Sequence, residues 1–248
     1  MTPTVRKFAA ALALLAGVLA LAGAPAPGGD VAVSHAQGET AVPRDPSRVL
    51  VFDLGALDML DRLGVDVSGV PGGVKPAYLE KYDADAYARI GTLFEPDYEA
   101  VSAAEPDLII VGGRSAAKYG ELSKIAPTVD LTGDAKDFIG SVERNMETLG
   151  RIFGKEAEAA VEIGRLDADV AALKRATAGK GKGLLILTTG GKISAYGPGS
   201  RFGVLHDALG VEPAAPGLSI GNHGQPASFE FILETNPDWL FVIDRDAA

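Results

Sequence analysis

A run of apolar residues introduced by Pro-Asp and closed by an arginine occurs twice in this 248-residue chain. The first copy carries Glu99, Pro106-Asp107, Leu108-Ile109-Ile110-Val111 and Arg114; the second carries Glu230, Pro237-Asp238, Trp239-Leu240-Phe241-Val242-Ile243 and Arg245. Glu99/Glu230, Pro106/Pro237 and Arg114/Arg245 are all separated by 131 positions, so the copies align without a gap. Each copy predicts a short helix, a Pro-Asp turn, a buried strand and a cation where that strand emerges. Two such units constrain the chain to the α/β class with two related lobes. In open parallel sheets ligands bind beyond the carboxyl ends of the strands. Two such arginines facing one another would line a cleft that holds an anion.

Around the repeat, the pattern predicts strands over 48–52, 65–70, 128–131 and 184–188, and helices over 58–63, 116–125, 138–153 and 201–209. Gly154 interrupts the pattern, and 155–176 then reads as one long charged helix ending at the glycine- and lysine-rich turn 179–183. Some 20 helical residues span roughly 30 Å, enough to strut two lobes together. The organisation expected is an N-terminal lobe over 37–154, a connecting helix over 155–178 and a C-terminal lobe over 179–248. The first lobe continues for about 40 residues after Arg114, whereas only Asp246, Ala247 and Ala248 follow Arg245. An apolar strand such as 239–243 needs cover on both faces, so the second lobe reads as incomplete.

Residues 1–36 have the layout of a secretory signal peptide: Arg6-Lys7, an apolar run from Phe8 to Ala24, then small residues with a cleavage site expected after Ala36. The alternative is an uncleaved membrane anchor, for which this run is at the short edge. Residues 37–47 read as a polar leader before the first strand. The chain has no cysteine, which excludes disulfides, thiolate catalysis, Cys-ligated metals and a lipid-attachment cysteine. A freely soluble, exported, periplasmic protein is the expectation. Without residues 1–36 the chain holds 21 basic against 32 acidic groups, a net of minus 11, which argues against nucleic-acid partners. Positive charge for an anionic ligand must therefore be local.

Either strand-end arginine alone reads as a surface cation; equivalent positions in both copies favour a ligand role for Arg114 and Arg245. Arg201 follows the turn Gly197-Pro198-Gly199-Ser200 and is predicted to open a helix. That turn lacks the lysine of a nucleotide P-loop; it fits either a capping turn with a solvated arginine or an anion site helped by free backbone amides. His223 lies in a glycine-containing loop, where a solvated role and a metal-ligand role both remain open. Only three histidines exist, and His35 falls within the segment expected to be removed, so a resident metal site is hard to assemble. No nucleophile-base arrangement stands out, and no catalytic residue is expected. Glu99 and Glu230, one per copy, are either solvated helix residues or a pseudo-symmetric pair suited to a two-fold partner.

The segments beginning at Val51, Gly91, Pro106, Leu122 and Lys192, with Asp244-Arg245-Asp246, resemble the periplasmic ferric-siderophore-binding proteins of ABC importers, above all the catecholate binders for enterobactin- and petrobactin-type ligands. The resemblance covers nearly everything after the signal segment. It implies two α/β lobes joined by a single long helix, with the ligand between them and no enzymatic activity. It also implies that Arg114, Arg201 and Arg245 surround an anionic ferric catecholate. His223 resembles a loop histidine that coordinates the siderophore's iron, with no intrinsic cofactor; the tyrosine that usually partners it has no counterpart in this sequence. Glu99 and Glu230 resemble the glutamates that dock on the two subunits of an inner-membrane permease, with the protein acting as a monomer. Haem or corrinoid binding by the same fold, and an α/β enzyme acting on an anionic metabolite, are the alternative readings.

Overall fold

The structure, a computed structural model, describes residues 29–246. It opens on an antiparallel hairpin, β1 (Val31–His35) with β2 (Gly38–Val42). Alternation along β1 places Val31 and Val33 in the core with Val42 of β2. The hairpin is tied down by polar contacts as well. The Thr40 hydroxyl donates to the Thr128 carbonyl at 3.0 Å, the Ala36 amide to the Asp130 carbonyl at 3.2 Å, and the Gln37 side-chain amide to the Asp130 carboxylate at 2.9 Å. This corrects two expectations. Residues 37–47 are not a leader, and cleavage after Ala36 would strip a buried strand from the fold. His35 likewise belongs to the folded chain, where its ring sits 5.4 Å from that of Tyr119.

The first sheet follows: β3 (Val49–Val51), α1 (Leu54–Arg62), β4 (Gly69–Val70), β5 (Ala88–Arg89), α2 (Tyr98–Ala103), β6 (Leu108–Val111), α3 (Tyr119–Leu122) and β7 (Thr128–Asp130). Its order is β5-β4-β3-β6-β7 with every pair parallel. Both faces are covered, which is why its strands read as unbroken apolar runs. Val49, Val51, Leu108 and Ile110 pack with α1 and the helix that follows β7, while Leu50, Ile109 and Val111 pack with Val101 of α2 and Leu122 of α3. The expected helix over 116–125 is a 3-10 turn followed by the short α3.

Two helices lead out of this sheet, α4 (Phe138–Phe153) and α5 (Glu156–Thr177). Gly154 closes α4 at φ 62°, a left-handed cap that glycine adopts without strain. The helices meet closely: a Cβ on Gly150 would lie 2.9 Å from that of Ala159, the one buried residue of α5. At 1.5 Å per residue the 22 residues of α5 extend about 33 Å.

The second sheet comprises β8 (Lys182–Thr189), β9 (Lys192–Tyr196), β10 (Glu212–Pro213), β11 (Gln225–Ala227) and β12 (Trp239–Asp244), with α6 (Val204–Asp207) and α7 (Phe229–Thr235) between strands. It is mixed, unlike the first. One edge of β8 pairs parallel with β12; the other pairs antiparallel with β9 and, at its start, parallel with β10. The β8-β9 hairpin turns on Gly190 and Gly191, both at positive φ (56° and 73°), a two-residue loop whose twist matches the strands. Trp239, Leu240 and Val242 of β12 are 54%, 46% and 52% exposed, and among the described residues no strand pairs along its outer edge.

The sequence repeat has structural counterparts at the same offset. Asp97 caps α2 and Ser228 caps α7 through side-chain bonds to backbone amides. Glu105 and Asn236, which precede the two Pro-Asp pairs, both adopt left-handed backbone at φ 43° and 44°. Each Pro-Asp carboxylate then accepts the amide that starts the neighbouring strand: Asp107 takes that of Arg48 at 2.9 Å, and Asp238 that of Lys182 at 2.7 Å. The aspartate thus registers one strand against the next in both copies.

Candidate ligand-binding site

The first sheet's strand order reverses direction between β3 and β6, and ligands bind at such switch points beyond the strand ends. Gly112, Gly113 and Arg114 emerge there. A Cβ at Gly112 would lie 3.1 Å from Asp53 Cγ, a tight contact that glycine avoids as the chain passes over the aspartate. Gly113 turns at φ 52° and donates its amide to the Thr132 hydroxyl at 2.9 Å. Ser115 is fully buried; its hydroxyl accepts the Gly112 amide at 3.0 Å and lies 3.1 Å from the Phe52 carbonyl, to which it donates. Arg114 is therefore presented in solvent from a loop pinned on both sides.

Asp53 caps α1 by accepting the Ala56 amide at 2.9 Å. Burial pushes its carboxyl above the usual range, against the amides of Ala56 and Gly55; the charge of Asp130 adds to the rise and that of Arg114 opposes it. None of the ion pairs among the described residues engages Arg114, Arg201 or Arg245. Arg114 lies instead over the Phe94 ring, its guanidinium carbon 5.7 Å from the centroid. Sequence spacing gave no sign of Asp53, Ser115 or Phe94 as parts of this site, because their roles depend on strand order.

Arg201 is exposed and packs over Phe202 at 4.6 Å. It does not open a helix: α6 begins three residues later and spans only four. Nor is the glycine turn an open cradle, because the Gly199 amide already donates to the Asp207 carboxylate at 2.7 Å. That corrects the expectation of free amides for an anion. Phe202 packs against the cluster of Leu185, Leu187 and Tyr196, which Phe241 and Ile243 of β12 also join. Arg245 closes β12, its amide donating to the Thr188 carbonyl at 3.1 Å. His223 is exposed in the loop before β11, and no metal-holding group of three His, Asp or Glu occurs among the described residues. Glu99 and Glu230 occupy the first turns of α2 and α7 and are exposed.

A cavity of about 600 Å³ adjoins this switch point, with Gly113 and Thr132 in its lining, and runs between α1, α4 and α5. Asp53, Asp58 and Asp169 line it, and its cations Arg62 and Arg165 are both paired with Glu162. Its own lining has an acidic excess that does not suit an anion, so the charge for one must come from the strand-end arginines, of which Arg114 directly follows the lining residue Gly113.

Two α/β sheets linked through the long helix α5, with an exposed arginine at a switch point, give the architecture of a two-lobed ligand-binding protein. The chain belongs to the periplasmic binding protein family, whose sequence model matches residues 49–248. It is 46% identical over 212 residues to the petrobactin-binding protein YclQ of Bacillus subtilis, covering 84% of this chain and 67% of that protein. It is 35% identical over 223 residues to the ferric-anguibactin-binding protein FatB of Vibrio anguillarum, covering 88% and 69%. Among solved structures it is similar to the catecholate-siderophore-binding protein VctP of Vibrio cholerae, with a TM-score of 0.84, 35% identity, and coverage of 88% of this chain and 79% of that one. Among the described residues no helix is long and apolar enough to cross a membrane.

Proposed function

We propose that this chain is the substrate-binding component of an iron-siderophore ABC importer, capturing an anionic ferric catecholate between its lobes and delivering it to an inner-membrane permease. The observation that carries this reading is Arg114, held at the switch point by Ser115 and outside every ion pair among the described residues. A tris-catecholate ferric complex bears about three negative charges, and charge-assisted contacts with Arg114, Arg201 and Arg245 would offset them. Support comes from the relatives' names: VctP is called a catecholate-siderophore-binding protein, YclQ a petrobactin-binding protein and FatB a ferric-anguibactin-binding protein. In this reading the protein works in the periplasm as a monomer after export, ferric iron arrives only within the siderophore, and His223 is its candidate protein ligand. Glu99 and Glu230 would meet the two permease subunits.

The test uses Trp239, the only tryptophan, which starts the strand that ends at Arg245. At about 3.3 Å per residue it lies roughly 20 Å from that arginine, close enough for a coloured ferric catecholate to quench it. Titration should saturate with ferric catecholates, and Arg114→Ala should weaken binding by about 1–3 kcal/mol. Saturation by a neutral ferric hydroxamate with no response to catecholates would sink the proposal.

A further inference from the structure

Two of the three candidate arginines are seated on phenylalanine rings, and the seats differ. Phe202 is braced edge-on by Tyr196, with centroids 4.8 Å apart and an interplanar angle of 77°, and it packs into the second sheet. Phe94 is 58% exposed. Its turn is nevertheless built to hold it there. The Thr92 hydroxyl accepts the amides of Phe94 and Glu95 at 3.2 and 3.0 Å, and the Thr92 amide donates to the Glu95 carbonyl at 2.8 Å. Gly91 sits at φ 101° where a Cβ would come within 2.4 Å of backbone, and Lys118 clamps Glu95 at 2.9 Å. The turn's backbone thus sets a large apolar ring in water beside the guanidinium that the proposed ligand must reach.

We propose that Phe94 is a specificity-determining residue: it orients Arg114 and offers its remaining surface to aromatic donor rings, so the site favours ferric aryl complexes over ferric carboxylates. This rests on the reading that Arg114 contacts the ligand. A ring carried on a hydrogen-bonded turn has less freedom to lose on binding, and one aromatic pair or cation–π contact is worth about three- to tenfold in affinity. A citrate-type complex gains only the arginine's charge and leaves the ring solvated.

The experiment titrates Trp239 quenching with the ferric complex of a synthetic tris-catecholamide and, separately, with ferric citrate at one ionic strength. Phe94→Leu, which keeps apolar bulk without the ring, should lose about three- to tenfold for the catecholamide and less than about twofold for citrate. Phe94→Tyr should restore catecholamide binding, and Phe94→Gln provides a second ring-less variant. Equal losses for both ligands, or none, overturn the assignment of Phe94. If Arg114→Ala weakens the catecholamide while Phe94→Leu does not, only this inference falls. If the unaltered protein ignores the catecholamide, the ligand reading falls with it.

Discussion

Val33→Ala tests whether the N-terminal hairpin belongs to the stability core. Val33 is fully buried in β1, and truncation removes two methyl groups at about 0.8 kcal/mol each, about 1.6 kcal/mol by transfer alone. The cavity left against Val42 and its neighbours raises this to about 2–3 kcal/mol. For a chain of this size each kcal/mol moves the melting temperature by about 2–4 °C, so a drop of about 4–12 °C is expected. Deleting residues through Ala36 removes Val31, Val33 and the whole β1-β2 ladder, a large part of the roughly 5–15 kcal/mol that stabilises a typical fold. Five of the six tyrosines, Tyr78, Tyr82, Tyr87, Tyr98 and Tyr119, lie in the first lobe, and Trp239 lies in the second, so intrinsic fluorescence can follow the two sheets separately. Chains starting at Gly29 and at Gln37 should differ in the tyrosine transition. Equal melting of the two, together with less than about 0.5 kcal/mol lost by Val33→Ala, would refute the placement of β1 in the core.

His35 supplies a pH test. Burial lowers its proton affinity below the usual imidazole value of about 6.5, with Asp130 opposing, so the folded form prefers the neutral ring. Its contribution is complete above that pH and is lost as pH falls through it towards the lower folded value. The melting temperature should therefore drop between pH 7.5 and 5.5 by less in His35→Gln than in the parent; parallel pH profiles would dismiss the effect. Glu99→Lys and Glu230→Lys address docking. The Glu230 carboxyl is held below its usual range by its own backbone amide and the Ser228 hydroxyl, so it stays ionised. Each reversal should leave ligand affinity unchanged while reducing import or permease ATPase stimulation several-fold; unaltered stimulation would return both residues to ordinary helix surface.

The features legible in the sequence were those with a strong local signal. Apolar spacing at 138, 142, 146, 149 and 153 marked α4 to the residue, and the charged run after Gly154 marked α5 within one position at each end. The Pro-Asp repeat located β6 and β12. The hairpin β1-β2 was missed because it follows an apolar export-like run, although Val31 and Val33 alternate as a strand should. Gly190-Gly191 was likewise a hairpin signal, and reading past it hid β9 and the mixed character of the second sheet. At Arg201 local sequence misled: the glycine turn looked like a helix start, but Asp207 folds back to take its amide. Phe94 could not be placed, because a ring 20 positions before Arg114 becomes its neighbour only through strand order.

The outer edge of β12 has a consequence for the behaviour of the chain in solution. Among the described residues no strand pairs along that edge, so backbone donors and acceptors line it beside the exposed Trp239, Leu240 and Val242, a combination that invites edge-to-edge pairing between molecules. Against it stands the chain's net charge of -10, which keeps copies apart over the Debye length. That length shrinks from about 10 Å at 0.1 M salt to about 3 Å at 1 M, whereas strand pairing acts only at contact and is barely screened. Ionic strength therefore sets which of the two forces two meeting molecules feel first at this edge.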